Sequence, residues 1–264
     1  MGIALVATDL DGTLLGSDSQ PSPRGVQALR EAAARGVTVA LATGRMLSSA
    51  RALQAAMGLS GPLLAYNGGR VAFPDGTVWE DPVPLAVARS IGALCRQRSY
   101  LLQSYCGDAL LVPWEDERTA AYSRRAGIPC HRDPEGVYAP ETPPTKLLLI
   151  VDPARREEVS AEIRERFGAE VDVSGSQPEY VEINRGGVNK GRALRRVAES
   201  LGIDLEAVLA VGDAENDIPM LLAAGIGAAV ANAGPAVRAA AGWVAPSPYG
   251  EGVAEVLERF VLGV

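Results

Sequence analysis

Histidine occurs once in these 264 residues, at His131, and lysine twice, at Lys146 and Lys190. The lone histidine sets aside two-histidine metal chemistry; beside Cys130, His131 reads as surface or loop packing, which leaves no histidine for Ser-His-Asp catalysis. Three cysteines, Cys95, Cys106 and Cys130, form neither a zinc-like pairing nor an even disulfide set. They fit reduced thiols and a cytoplasmic protein. No run reaches the roughly 18 uncharged apolar residues of a membrane span. The opening Met1-Gly2-Ile3-Ala4-Leu5-Val6 lacks the basic start and long apolar core of a signal peptide.

Aromatics make up 5% of the chain, so Ala, Val, Leu and Gly carry the packing, as suits helices laid closely on a sheet. Apolar residues are 47%, enough for a full core. The net charge of −7 argues against a nucleic-acid binder, which would need a basic face. An anionic ligand remains compatible, because a bound divalent cation reverses the local field. Nearly all cationic residues are arginine. A lysine in such a chain therefore suggests a place where a compact ammonium is required. Lys146, opening an apolar strand, reads instead as a solvated edge charge.

Short apolar runs alternate with helical stretches at the start. Ile3 to Thr8, Val37 to Ala42 and Leu63 to Ala65 read as buried strands. Helices near 22–35 and 45–57 lie between them. Strands alternating with helices predict an α/β fold, a Rossmann-like core with a parallel sheet covered by helices on both faces. Pro74-Asp75-Gly76 predicts a hairpin, and Asp81-Pro82-Val83-Pro84 a linker. Residues 83–184 follow another rhythm, that of an inserted α+β domain with an antiparallel sheet. The first rhythm returns over 185–264. The predicted organisation is thus core 1–82, insertion 83–184, core 185–264.

Four constellations fall at ends of these elements. Asp9-Leu10-Asp11-Gly12-Thr13 follows the first strand, where open α/β sheets bind ligands. One carboxylate there can attack phosphorus and hold a metal while the other moves a proton. Thr43-Gly44-Arg45 follows the second strand; its hydroxyl can donate to a phosphate oxygen, or simply cap a helix. Asn189-Lys190-Gly191 puts an ammonium at a helix start, unfavourable for the helix dipole unless an anion sits there. Gly212-Asp213-Ala214-Glu215-Asn216-Asp217 follows another strand and offers hard oxygen donors, which favour magnesium over zinc.

Together these residues resemble the four motifs of the haloacid dehalogenase superfamily, in that superfamily's order. The likeness is nearest to its Cof-type phosphatases, with an inserted α/β cap of the IIB kind. Tyr66-Asn67-Gly68-Gly69 and the tail from Asn232-Ala233 to Ala254 support it. The resemblance implies a magnesium-dependent phosphatase acting on a small phosphorylated metabolite, such as a sugar phosphate. Asp9 would be the nucleophile, forming an aspartyl-phosphate, and Asp11 the acid and base. Thr43 and Lys190 would hold phosphoryl oxygens. Magnesium would sit on the Asp9 carboxylate, the Asp11 backbone carbonyl and Asp213. Leu10, Gly44, Arg45, Asn67 and Asn216 would face the substrate, and Asp217 would orient Lys190 or the ligands. A sugar phosphomutase of the same superfamily, or a non-catalytic phosphometabolite sensor, are the alternatives. The implied partner is a small phosphate ester, with no nucleic acid and no membrane, and the protein is expected as a monomer or small homo-oligomer.

Overall fold

The computed structural model describes residues 2–264. The chain divides into two units, Met1–Trp79 with Asn189–Val264, and Glu80–Val188. From the N-terminus, β1 (Leu5–Thr8) leads to α1 (Pro23–Ala34), β2 (Thr38–Ala42), α2 (Leu47–Ala56) and β3 (Leu63–Ala65). β4 (Arg70–Ala72) and β5 (Val78–Glu80) form the hairpin around Pro74-Asp75-Gly76. The inserted unit then contains α3 (Leu85–Arg98), β6 (Leu101–Cys106), β7 (Ala109–Val112), α4 (Glu117–Ala126) and β8 (Cys130–Arg132). It continues through α5 (Pro134–Tyr138), β9 (Lys146–Ile150), α6 (Arg156–Phe167), β10 (Val171–Ser174) and β11 (Tyr180–Arg185). The chain ends with α7 (Lys190–Ser200), β12 (Val208–Gly212), α8 (Ile218–Ala223), β13 (Ile226–Ala229), α9 (Pro235–Ala240), β14 (Trp243–Val244) and α10 (Tyr249–Leu257).

The first unit is built on an eight-stranded sheet in the order β14-β13-β12-β1-β2-β3-β4-β5. β1 lies in its middle, parallel to β12 on one side and β2 on the other. Leu5 and Ala7 join an apolar layer with Leu194 and Val197 of α7 and Met220 of α8. Val6, between them, points to the opposite face and is also fully buried. A parallel strand covered on both faces needs such an unbroken apolar run. α1 begins where Ser22 accepts from the Gly25 amide and Pro23 fills the first turn.

The second unit holds a six-stranded sheet, β10-β11-β9-β6-β7-β8, antiparallel except for the β7–β8 pair. α3 and α6 cover one face through Ile91, Leu94, Val159 and Ile163. One segment carries elements the sequence reading did not assign, and one residue differs from expectation. The segment 114–145, which carries few periodic apolar residues, contains α4, β8 and α5. Lys146 is no solvated edge charge. β9 is an interior strand, Lys146 is fully buried, and its ammonium meets Glu182 at 3.3 Å. A partner across the sheet makes that burial tolerable.

Candidate active site

The order of strands reverses beside β1, since the chain moves to β2 on one side and later to β12 on the other. Ligand crevices of open α/β sheets form at such points, beyond the strands' carboxyl ends. Asp9 follows β1, Asp213 follows β12 and Thr43 follows β2. Thr8 pairs with Val211, and the Asp9 amide donates to the Val211 carbonyl, so the two acids leave adjacent strands side by side.

α7 brings the ammonium. Asn189 caps it by accepting from the Arg192 amide, which places Lys190 at its first position. Gly191 lets the helix lie against the Pro219 backbone, where a Cβ would collide. Lys190 is fully buried and donates to Asp9 Oδ1 and to Asp217 Oδ1, both at 2.6 Å. Asp217 is committed elsewhere as well: its Oδ2 accepts from the Asp213 and Ala214 amides at 3.0 Å. Both of its oxygens are thus occupied in holding Lys190 and the turn after β12.

Asp213 Oδ1 accepts from the Thr13 hydroxyl at 2.7 Å. Gly12, at φ +88°, lies so close to the Asp213 carboxylate that any side chain would clash with it. Asn232, between β13 and α9, donates to the Gly12 carbonyl at 2.8 Å and accepts from the Tyr249 amide at the start of α10 at 2.9 Å. Thr13 and Asn232 are site residues to which sequence reasoning assigned no role. Both sit inside segments singled out from the sequence, but their partners lie about 200 residues away, beyond what local spacing shows.

Thr43 is fully buried and accepts from the Arg45 amide at 3.1 Å; α2 starts later, so Thr43 is not its cap. Among the described residues no group accepts the Thr43 hydroxyl proton. Arg45, expected on the substrate side, grips Asp11 in a two-pronged pair: Nε donates to Oδ2 at 2.7 Å and Nη2 to Oδ1 at 2.6 Å. Leu10 is buried and Gly44 half-buried beside these groups in the chain. Asn67 accepts from Asn216 Nδ2 at 3.0 Å. It stands in a turn where Tyr66, Asn67 and Gly68 all have positive φ, a conformation L-residues hold only when their surroundings enforce it. Its amide donates to the Thr43 carbonyl, so this turn is keyed to the segment after β2.

The electrostatics are those of a site with too much negative charge. Burial pushes the Asp9 carboxyl well above its ordinary range; Lys190 opposes this, while Asp217, Asp213 and Asp11 add to it. Burial also pushes Asp213 up to about 7, reinforced by Asp217 and resisted by the Thr13 hydrogen bond. Burial disfavours the Lys190 ammonium, but the two carboxylates outweigh it and hold the group charged. Ligand oxygens of Asp9, Asp213 and Asp217 lie within 4.8 Å of one another. Among the described residues, Oδ2 of Asp9 and Oδ2 of Asp213 accept no hydrogen bond. Two uncommitted carboxylate oxygens, an excess of negative charge and the absence of nitrogen or sulfur donors fit a hard divalent cation such as magnesium.

A pH effect follows. Asp213 binds its proton more tightly folded, near 7, than unfolded, near 3.8. Its contribution to stability is therefore full below about pH 4 and disappears as pH rises through about 7. In excess chelator, the melting temperature of Asp213→Asn should climb relative to wild type between pH 4 and pH 8. Parallel curves would show that Asp213 is not strained.

This arrangement of acids, ammonium and hydroxyl at a parallel-sheet switch point defines a phosphoryl-transfer hydrolase. A family model of haloacid dehalogenase-like hydrolases matches residues 6–257, and the chain belongs to that family, in its Cof-type branch. It is similar to the 5-amino-6-(5-phospho-D-ribitylamino)uracil phosphatase YcsE of Bacillus subtilis, with 31% identity over 98% of this chain and 96% of that protein. It is also similar to a phosphoglycolate phosphatase of Methanopyrus kandleri, at 31% identity over 98% and 97%. Among solved structures, TM0651 of Thermotoga maritima superposes with a TM-score of 0.82 at 32% identity, covering 98% of this chain and 97% of that one. The protein is a phosphatase of this family, acting on phosphoric monoesters. Among the described residues no helix is long and apolar enough to cross a membrane.

Proposed function

We propose that the protein hydrolyses a small phosphorylated metabolite with magnesium, through a phosphoryl group carried on Asp9. The observation behind this is the Lys190 ammonium, fully buried and shared at 2.6 Å between Asp9 and Asp217. A carboxylate so held is fixed in direction, as attack on phosphorus requires.

Asp9 attacks phosphorus in line and the ester oxygen leaves. Asp11 protonates that oxygen, then takes a proton from the water that breaks the aspartyl-phosphate. For this its pair with Arg45 must open, because both Asp11 oxygens accept from the guanidinium. Thr43 donates its unclaimed hydroxyl proton to a phosphoryl oxygen, and Lys190 neutralises charge as the phosphoryl group approaches. Gly44 and the Leu10 backbone line the phosphoryl side; Arg45, Asn67 and Asn216 lie toward the substrate. Asp217 sets the direction of Lys190, and Asn67 fixes the amide of Asn216. Magnesium, when bound by the Asp9 carboxylate, the Asp11 carbonyl and Asp213, supplies positive charge that offsets the phosphate dianion. The inserted unit, 83–184 by the sequence and Glu80–Val188 in the fold, serves as the cap that selects the substrate.

With magnesium the protein should release inorganic phosphate from small esters, and excess chelator should suppress release at least about 100-fold. Magnesium should also raise the melting temperature, more at pH 8 than at pH 5, because protons compete for Asp9 and Asp213. Undiminished release in chelator would overturn the metal assignment.

The relatives' printed activities differ: one acts on a ribitylamino-uracil phosphate, another on phosphoglycolate. The class they share is a small-molecule phosphate ester, and that is the substrate class proposed here. The family's fold supplies the phosphoryl chemistry and leaves the organic group to be chosen by other residues.

A further inference from the structure

Threonine and valine have nearly the same shape, so a threonine withdrawn from water needs a use for its hydroxyl. Thr13 is fully buried, in a turn whose backbone is pinned. Its amide donates to the Leu10 carbonyl at 3.2 Å, and the neighbouring Gly12 carbonyl accepts from Asn232 at 2.8 Å. The hydroxyl so placed donates to Asp213 Oδ1 at 2.7 Å. Among the described residues this is the one hydrogen bond that the Asp213 side chain accepts.

The kind of donor matters. At Asp9 one oxygen is taken by the Lys190 ammonium, which offsets charge as well as fixing direction. The Thr13 hydroxyl is neutral. It orients the Asp213 carboxylate and leaves the whole negative charge for a cation. The carboxylate also lies against Gly12, where a Cβ would overlap both of its oxygens. The backbone beneath it is held too, because the Asp213 amide donates to Asp217 Oδ2 at 3.0 Å. Asp213 is thus gripped at its backbone and at Oδ1, and presents Oδ2 as its one uncommitted oxygen.

Divalent cations ask different things of a carboxylate. Magnesium demands a near-octahedral shell, keeps several waters and takes one oxygen from a carboxylate. Calcium is larger, accepts more oxygens in looser geometry, and readily takes both oxygens of one carboxylate. We propose that Thr13 is a positioning residue that makes Asp213 a one-oxygen ligand and so sets the preference of the site for magnesium over calcium. This rests on the reading of Asp9 and Asp213 as a magnesium site.

Melting temperatures of the full-length protein, stripped with chelator, dialysed and titrated with magnesium or calcium, give the two affinities without any turnover. Wild type should bind magnesium the more tightly. Thr13→Val should lose about tenfold or more in magnesium affinity and under about threefold in calcium affinity, so the ratio of the two falls. Thr13→Ser keeps the hydroxyl and should hold the ratio within about threefold of wild type. Should Thr13→Val fail to fold, Thr13→Ala serves in its place. A ratio left unchanged by the valine variant, whether through no loss or equal losses, overturns the proposal. So does a wild type that prefers calcium, a result that needs no variant to fold. A wild type whose melting temperature ignores magnesium would instead overturn the metal reading itself, and the proposal with it.

Discussion

Replacing Lys190 with methionine should lower turnover by about 10³-fold or more and also weaken the fold. Among the described residues the ammonium is the only cation bonded to Asp9 and Asp217, and both acids are buried. Methionine matches the length of the stem and removes the charge. Two carboxylates then face each other in a dry site. Breaking a buried pair by deleting one partner costs about 3–5 kcal/mol. For a chain of this size that corresponds to a melting temperature lower by roughly 6–20 °C. The loss should be smaller at pH 5 than at pH 8, because a buried carboxylate relieved of its cation takes up a proton. Magnesium should restore part of the stability and little of the activity. A Lys190→Met protein with the melting temperature of wild type would mean that the ammonium does not hold the site together.

Asp9→Asn should abolish turnover just as thoroughly, by about 10⁴-fold or more, with the opposite effect on the fold. Burial and three neighbouring acids all disfavour the Asp9 carboxylate, and only Lys190 favours it. The amide removes one negative charge from that crowd, and Lys190 keeps Asp217 as its partner. In chelator at pH 8 the variant should therefore melt above wild type. It should also gain less from magnesium, since a neutral amide oxygen binds a divalent cation more weakly than a carboxylate. The pair of variants separates chemistry from architecture: both are inactive, one unstable and one stabilised. Loss of stability in Asp9→Asn would show that the Asp9–Lys190 bond contributes more to the fold than the crowding of acids removes.

Much of this was legible before any fold was known, and for identifiable reasons. The strand ahead of Asp9 is an unbroken apolar run, and so is the strand ahead of Asp213. Such runs stop where the sheet meets water, which is where a polar cluster can serve a ligand. Lys190 stood out because arginine supplies almost every other positive charge. The parallel sheet around β1 follows from the alternation of these runs with helices.

The parts that escaped share a different cause. The grip of Arg45 on Asp11, the Asn67–Asn216 bond and the Thr13–Asp213 bond join residues 34, 149 and 200 apart. No periodicity encodes such a meeting. Lys146 departs from its sequence reading because a charge at the start of an apolar strand ordinarily marks an edge, whereas here Glu182, two strand positions along the neighbouring strand, completes it inside the sheet. α4, β8 and α5 are not legible because their short segments bury few residues each, and α4 is crowded with Glu117, Arg118, Arg124 and Arg125.

The proposed mechanism requires a bond between phosphorus and a carboxylate oxygen of Asp9. Mixing the protein with magnesium and a good small phosphate ester, quenching in acid within milliseconds, and mapping the modified peptide by mass spectrometry would read that bond directly. The expected result is one phosphoryl group on Asp9, absent without magnesium and absent from Asp9→Asn. A phosphoryl group found on another residue, or full turnover by Asp9→Asn, would contradict it.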